Sequence, residues 1–163
     1  MLTIRAYADG DVEGLWSILE PVIRDGATYP YDPAMTRRQA LAEWLSPNKR
    51  TYVAERDGRI VGTYYLRPNQ PTLGAHVANA GYMVAADCRG RGIGRALGEH
   101  SIAEARRLGY RAMQFNLVVA TNTASLVLWK SLGFRVVGTL AGAFKHARLG
   151  YVDACVMYRS LVD

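Results

Sequence analysis

The stretch Arg89-Gly90-Arg91-Gly92-Ile93-Gly94 sets three glycines at alternate positions among arginines. It lies between a β-rich run ending at Val84 and a helical run that starts near Gly92. This arrangement suits an anion. The first N–H groups of a helix lack partners, and the helix dipole favours negative charge at that end. Glycine lets a bulky pyrophosphate approach the backbone with no Cβ in the way. Arg89, Arg91 and Arg95 add charge-assisted donors. The dinucleotide-binding fingerprint spaces its glycines G-x-G-x-x-G, and the P-loop needs a lysine followed by Ser or Thr. Neither pattern is present, so a nucleotide-binding protein of those kinds is disfavoured.

Such a turn needs elements to hold it. Residues 2–7 read as a short strand, after which Asp9 or Asp11 caps a helix to about Arg24 with Val12, Leu15, Trp16 and Leu19 at helical spacing. Breakers fill residues 26–33, and Thr36 opens a second helix ending near Ser46-Pro47. Residues 51–56 and 59–66 are β-rich around Asp57-Gly58, a hairpin signal, and residues 77–84 form the strand that feeds the turn. The helix after the turn runs to Leu108, with Leu97, Gly98, Ser101, Ile102, Ala105 and Leu108 on one arc and His100 on the solvated side. Gly109 stops it, and residues 111–119 form a strand. Asn122-Thr123 opens a short helix to Leu132, stopped by Gly133. Residues 134–140 and 151–159 read as the last strands, with His146 in the loop between them. Strand, turn, helix and strand imply a βαβ crossover with local parallel pairing, and the flanking hairpins make the sheet mixed.

Bulk properties narrow the class. Half of the 163 residues are hydrophobic and 21% are charged, as in a globular protein. No repeat or linker divides the chain, so residues 1–163 are expected to form one domain. No apolar run approaches the roughly 18 residues of a membrane span, and the start lacks a signal-peptide layout. Cys88 and Cys155 have no metal-ligand spacing, which points to a reduced, cytoplasmic protein without a metal. The net charge of +6 is scattered, nearly all arginine, with no block of like charge to suggest a nucleic-acid module.

Arg89-x-x-Gly92-x-Gly94 resembles the acetyl-CoA motif of the GNAT superfamily of N-acetyltransferases, with a strand before it and a helix after it. The run Asn122-Thr123-Ala124-Ser125-Leu126-Val127-Leu128-Trp129-Lys130-Ser131-Leu132-Gly133-Phe134 resembles that family's second motif. The likeness extends from about residue 50 to the C-terminus. It implies a three-layer α/β GNAT fold, a mixed central sheet splayed between two parallel strands with helices on both faces. The strand before the turn would be bulged. Backbone groups of Tyr82, Met83 and Val84 would pair with pantetheine, and an N–H near Val84 would polarise the thioester carbonyl. Arg89, Gly90, Arg91, Gly92, Ile93, Gly94 and Arg95 would hold the pyrophosphate, while Asn122, Ser125 and Trp129 would flank the cofactor. Many members place a tyrosine where Trp129 stands. Tryptophan donates a hydrogen bond but is no useful acid, so Trp129 either packs or assists without donating a proton.

A narrower likeness is to acetyltransferases acting on proline analogues such as azetidine-2-carboxylate, carried by Pro68-Asn69, residues 76–81, Phe115-Asn116-Leu117-Val118 and Thr121-Asn122. It implies substrate contacts from Asn79 and Asn116, the latter beside the reacting groups. Asparagine is uncommon in strands, so two on adjacent central strands suggest a polar floor, which either holds an acceptor or pairs local backbone. Tyr29 and Tyr31 are expected as an acceptor wall or as loop anchors. For His76 and His146 a surface or packing role is favoured over that of a base. Asp87 is expected to brace an arginine, and Asp153 and Cys88 carry no assigned chemistry. The expected reaction is direct attack of a small-molecule or amino-acid amine on acetyl-CoA, without nucleic-acid or membrane partners and with a homodimer left open. A peptide or protein N-acetyltransferase of the same fold, and a non-catalytic acyl-CoA- or nucleic-acid-binding module, remain the alternatives.

Overall fold

The computed structural model describes residues 1–163. Its elements are β1 (Leu2–Ala6), α1 (Val12–Asp25), α2 (Arg37–Trp44), β2 (Arg50–Arg56), β3 (Arg59–Pro68), β4 (Val77–Val84), α3 (Ile93–Arg107), β5 (Ala112–Val119), α4 (Thr123–Ser131), β6 (Arg135–His146) and β7 (Gly150–Ser160). The strands form one sheet in the order β1-β2-β3-β4-β5-β7-β6. Only β4 and β5 pair in parallel, as the intervening helix requires. The β2–β3 turn has positive φ at both Asp57 and Gly58, the left-handed pair that suits a two-residue hairpin.

Alternation along β3 distributes the helices over two faces. Thr63 and Tyr65 meet α2, where the Trp44 indole N–H donates to Thr63 Oγ1 at 3.1 Å and its ring stands edge-on to Tyr65 at 4.8 Å. Tyr64, on the other face, bonds His100 Nδ1 of α3 at 2.7 Å. Leu15, Ile18, Leu19 and Ile23 of α1 and Leu97, Ile102 and Ala105 of α3 are buried against the sheet. The expected three layers are therefore present. No helix is long and apolar enough to cross a membrane.

Three expectations change. Neither Asp9 nor Asp11 caps α1 through its side chain: Asp11 stands at the N-cap position, but its carboxylate accepts from the Arg5 guanidinium at 2.7 and 2.9 Å and from the Ala8 N–H at 2.8 Å. Thr36 does cap α2, reciprocally with Gln39. His100 is half-buried, and burial lowers its pKa, because the Tyr52 and Tyr64 rings stack beneath it at 4.7 Å from each other. The penultimate strand does not stop at Leu140. Its ladder on β7 shifts between Leu140 and Phe144 and then resumes as far as His146↔Gly150. Ala141-Gly142-Ala143 is a poor β run, so the pattern breaks there although the strand does not. His146 is consequently a buried strand residue whose Nδ1 accepts the Arg148 and Leu149 N–H groups.

Glu104 joins α3 to β2. It accepts from the Tyr52 hydroxyl at 2.6 Å and from two Arg107 nitrogens at 2.8 and 2.6 Å. The bonds from Arg107 chiefly, helped by Tyr52, hold its carboxyl at about 2 against the ordinary 4.5. A depressed folded pKa stabilises the protein above the unfolded value, and that contribution is lost as pH falls towards the folded value. Glu104→Gln is expected to flatten the acid limb of the stability profile between about pH 5 and about pH 2, as followed by denaturant unfolding. An unchanged limb would place the acid sensitivity elsewhere.

Candidate active site

β4 and β5 pair only at Val77↔Ala112 and Ala78↔Met113, extended by the Arg111 N–H to the His76 carbonyl. The Asn79 amide then donates to the Gln114 carbonyl at 3.0 Å, and beyond it the strands part. The expected bulge is not in β4, which stays in register with β3 from Gly62↔Val84 to Pro68↔Ala78. It is in β5, whose ladder on β7 shifts between Phe115↔Met157 and Val118↔Cys155. Asn116 and Leu117 there oppose Val156 alone, and such an extra residue bends its strand. The splay thus comes from β5 turning away from a straight β4.

The gap opens into a cavity of about 620 Å³, within the usual range for small-ligand sites. It runs from Arg89, Gly90 and Gly94 past Tyr82, Val84, Phe115 and Trp129 to Tyr31, Glu43 and Arg67. Ladder bonds from the Ala85 N–H to Val61 and from the Asn69 N–H to Val77 commit the odd-numbered residues of β4 to β3. The peptide groups of Met83 therefore face β3, and Met83 can serve only as wall. Those of Tyr82 and Val84 face the gap. The Tyr29 hydroxyl occupies both of Tyr82's, accepting from its N–H at 2.6 Å and donating to its carbonyl at 2.7 Å. Burial pushes the Tyr29 phenol well above its ordinary pKa, so it stays protonated and can do both.

At the other end, Gly90 and Gly92 adopt φ of 73° and 79°, and a Cβ at either would meet nothing within 4 Å. Glycine is required there by left-handed backbone and not by internal packing. Gly92 caps α3, presenting the helix N-terminus beside the cavity. Arg89 lines the cavity, and Arg91 is exposed next to it. Arg95 instead ties α3 to α4, donating to Ser131 Oγ at 2.8 Å and approaching Glu99 at 3.5 Å. The Ile93 side chain is sunk in the core, so only its backbone is available to a ligand. Asp87 does brace an arginine, but it is Arg59 of β3, which holds its carboxyl at about 2.

Asn122 caps α4 by accepting the Ser125 N–H at 3.3 Å, and both residues line the cavity. Trp129 is buried, its ring 4.5 Å from Tyr82 and 4.7 Å from Phe115 between centroids. It packs in the core and also lines the cavity. It lies on Gly98, where a Cβ would come within 2.6 Å of Leu132 and 3.0 Å of the indole.

The polar floor at the far end is present, with its amides already paired. Asn79 is buried between the Gln114 carbonyl and Arg67 Nε, while exposed Asn116 bonds Asn69 at 2.7 Å and Gln114 at 3.0 Å. Tyr29 stacks on Tyr31 at 5.6 Å. None of the histidines lines this cavity. The lining carboxylates are Asp25, bonded to Arg148, and Glu43, bonded to Lys49. Asp153 accepts the Gly142 N–H, and Cys88 is a buried free thiol in the wall. Sequence reasoning missed Tyr65 and Arg67. The signal was the period of two along β3, which puts both on one face, and the register that sets Arg67 opposite Asn79.

Replacing a helical glycine by alanine ordinarily stabilises by about 1 kcal/mol. At Gly98 the added methyl would strike Leu132 and Trp129, so Gly98→Ala is expected to destabilise by about 1–3 kcal/mol. It should also alter tryptophan fluorescence. Denaturant unfolding checks this, and a gain in stability would show that α3 and α4 are not in tight contact.

Comparison with known proteins agrees with this geometry. The family described as Acetyltransferase (GNAT) family matches residues 16–134. The chain is 35% identical over 152 residues to an N-acetyltransferase of Schizosaccharomyces pombe, covering 82% of this chain and 72% of that protein. It is 30% identical to a phosphinothricin N-acetyltransferase of Alcaligenes faecalis, covering 98% and 82%. A GCN5-related N-acetyltransferase from Kribbella flavida superposes with a TM-score of 0.92 at 47% identity, covering 98% of this chain and 97% of that one. With the opened parallel strand pair and the glycine turn at its end, the chain belongs to the acetyltransferase (GNAT) family, as an acetyl-CoA-dependent N-acetyltransferase.

Proposed function

We propose that the protein acetylates the amine of a small molecule or amino acid, a proline-like imino acid among them, by direct attack on the thioester of acetyl-CoA. The observation that carries this is the continuous cavity joining the glycine turn to a tyrosine-walled end. The turn receives the pyrophosphate through the N–H groups at the start of α3, helped by Arg89 and Arg91. Pantetheine lies along the open side of β4, with Asn122 and Ser125 beside it. The Val84 N–H faces the thioester carbonyl and favours the oxyanion of the tetrahedral intermediate.

The neutral amine attacks the carbonyl carbon, a C–N bond forms, and the C–S bond then breaks to release CoA thiolate. The amine proton leaves through water, since no histidine lines the cavity. A thiol's ordinary pKa of about 8.5 makes thiolate a tolerable leaving group without an acid. That matters because burial raises the pKa of both Tyr29 and Tyr82, making them poor proton donors. Catalysis then rests on positioning and carbonyl polarisation, with Asn116 at the β5 bend orienting the acceptor. The phosphinothricin acetyltransferase among the relatives supports a small acceptor, as does the loop carrying Tyr29 and Tyr31 over this end.

CoA release is the test, across proline analogues, ordinary amino acids, polyamines, aminoglycosides and short peptides, with Gly92→Trp to obstruct the turn. Turnover on amino-acid or imino-acid acceptors, abolished by Gly92→Trp, is expected. Activity confined to peptides would refute the acceptor class. A second test concerns Tyr29. Tyr29→Phe is expected to cost the ligand-free protein about 1–2 kcal/mol of stability. The loss should shrink when acetyl-CoA saturates the site, because pantetheine then pairs with Tyr82. Equal losses with and without acetyl-CoA, in denaturant melts, would mean that Tyr82 does not receive the cofactor.

A further inference from the structure

The end of the cavity farthest from the glycine turn contains one cation that the chain leaves uncompensated. Arg67 is half-buried and donates through Nε to Asn79 Oδ1 at 3.2 Å; its two terminal nitrogens bond nothing in the protein. The carboxylates nearby are taken. Glu43 is held by Lys49, whose ammonium is itself buried and lies 4.3 Å over the Tyr65 ring, and Asp25 is held by Arg148. The local balance at this end is therefore positive by the charge of Arg67 alone.

The two unpartnered terminal nitrogens of this half-buried guanidinium are free to donate, and a planar carboxylate is the partner its fork fits best. The Asn79 bond fixes the Nε edge and leaves the terminal nitrogens as a docking edge inside the cavity. The phosphates of the cofactor cannot be that partner. Asn79 is five residues along β4 from Val84, roughly 17 Å at strand spacing, and the glycine turn lies beyond Val84. An anion at Arg67 must therefore come from the other substrate.

The geometry points to an acceptor that carries a carboxylate as well as its amine, with Arg67 binding that carboxylate; this rests on the acetyl-transfer reading above. Tyr31 and Tyr65 flank the bound group, and its amine is directed back along β4 towards Val84. Arg67 is a specificity residue in this scheme, and polyamines and aminoglycosides lack the group it needs.

Binding of unreactive products separates this inference from turnover. In the presence of CoA, calorimetry compares N-acetylproline with N-acetylproline amide, and N-acetylalanine with N-acetylalanine amide. For at least one pair the wild type should bind the acid about tenfold to a hundredfold more tightly than the amide, the range for a hydrogen bond to a charged group. Arg67→Gln should remove the difference, and Arg67→Lys should keep part of it. Thermal unfolding of both variants shows whether the fold is retained. Equal binding of acid and amide, no binding of either acid, or a preference that survives Arg67→Gln would overturn the proposal. If acetyl transfer failed in the acceptor panel while the acid preference held, only the catalytic reading would fall.

Discussion

A strand in the middle of a sheet normally satisfies its peptide groups on both sides, and β4 does so on one. Its odd-numbered residues are bonded to β3 along the whole strand, while its even-numbered residues lose their partner once β5 bends away after Asn79. Buried backbone groups without partners are costly, so this open side has to be satisfied by something that is not a strand. The rest of the architecture follows from that requirement. The β5 bulge opens the gap, the glycine turn marks one end of it, α4 walls its flank with Trp129, and the α1–α2 loop closes the other end with tyrosines. A molecule that is extended, rich in amides and anionic at one end matches each part of this space.

Features set by near neighbours in the chain were legible in the sequence. The turn at residues 89–94, the helix starts at Asn122 and Thr36 and the Asp57-Gly58 hairpin each depend on a few adjacent residues. Features set across the fold were not. Tyr29 meets Tyr82 fifty-three positions away, and Arg67 meets Asn79 only because of strand register. The β5 bulge falls at Asn116, a residue uncommon in strands, but the sequence alone does not say whether such a residue bends the strand or only lines a polar floor; the β6 irregularity at Gly142 reads as a strand end because Ala and Gly interrupt the pattern. Helical periodicity sets His100 in solvent because it ranks positions by their own wheel and ignores the tyrosines rising from the sheet.

The many arginines that give the chain its net charge of +6 are used in several different ways. Arg5 joins β1 to Asp11 and to Glu55 of β2, Arg59 holds Asp87 before the turn, Arg95 joins α3 to α4, and Arg159 donates to the Leu132 carbonyl at the end of α4. Much of the positive charge therefore fastens elements together. What remains on the cavity wall is Arg89 at one end and Arg67 at the other, two cations separated by the length of β4. A bulk charge that suggests a polyanion partner is in this fold largely structural, with a small remainder placed where two separate anionic groups would lie.

The Tyr29 hydroxyl also bears on what happens to the chain when nothing is bound. Exposed strand edges recruit strands from other molecules and so lead towards aggregation, and natural sheets usually protect them at their outer margins with charge, proline or a bulge. Here the vulnerable edge lies in the interior of the sheet, where those devices would block the ligand. A single phenol, supplied by a loop and able to donate and accept at once, covers both peptide groups of Tyr82. Such a cover is small enough to yield to a substrate, yet it denies a foreign strand the pair of bonds with which it would begin to zip on.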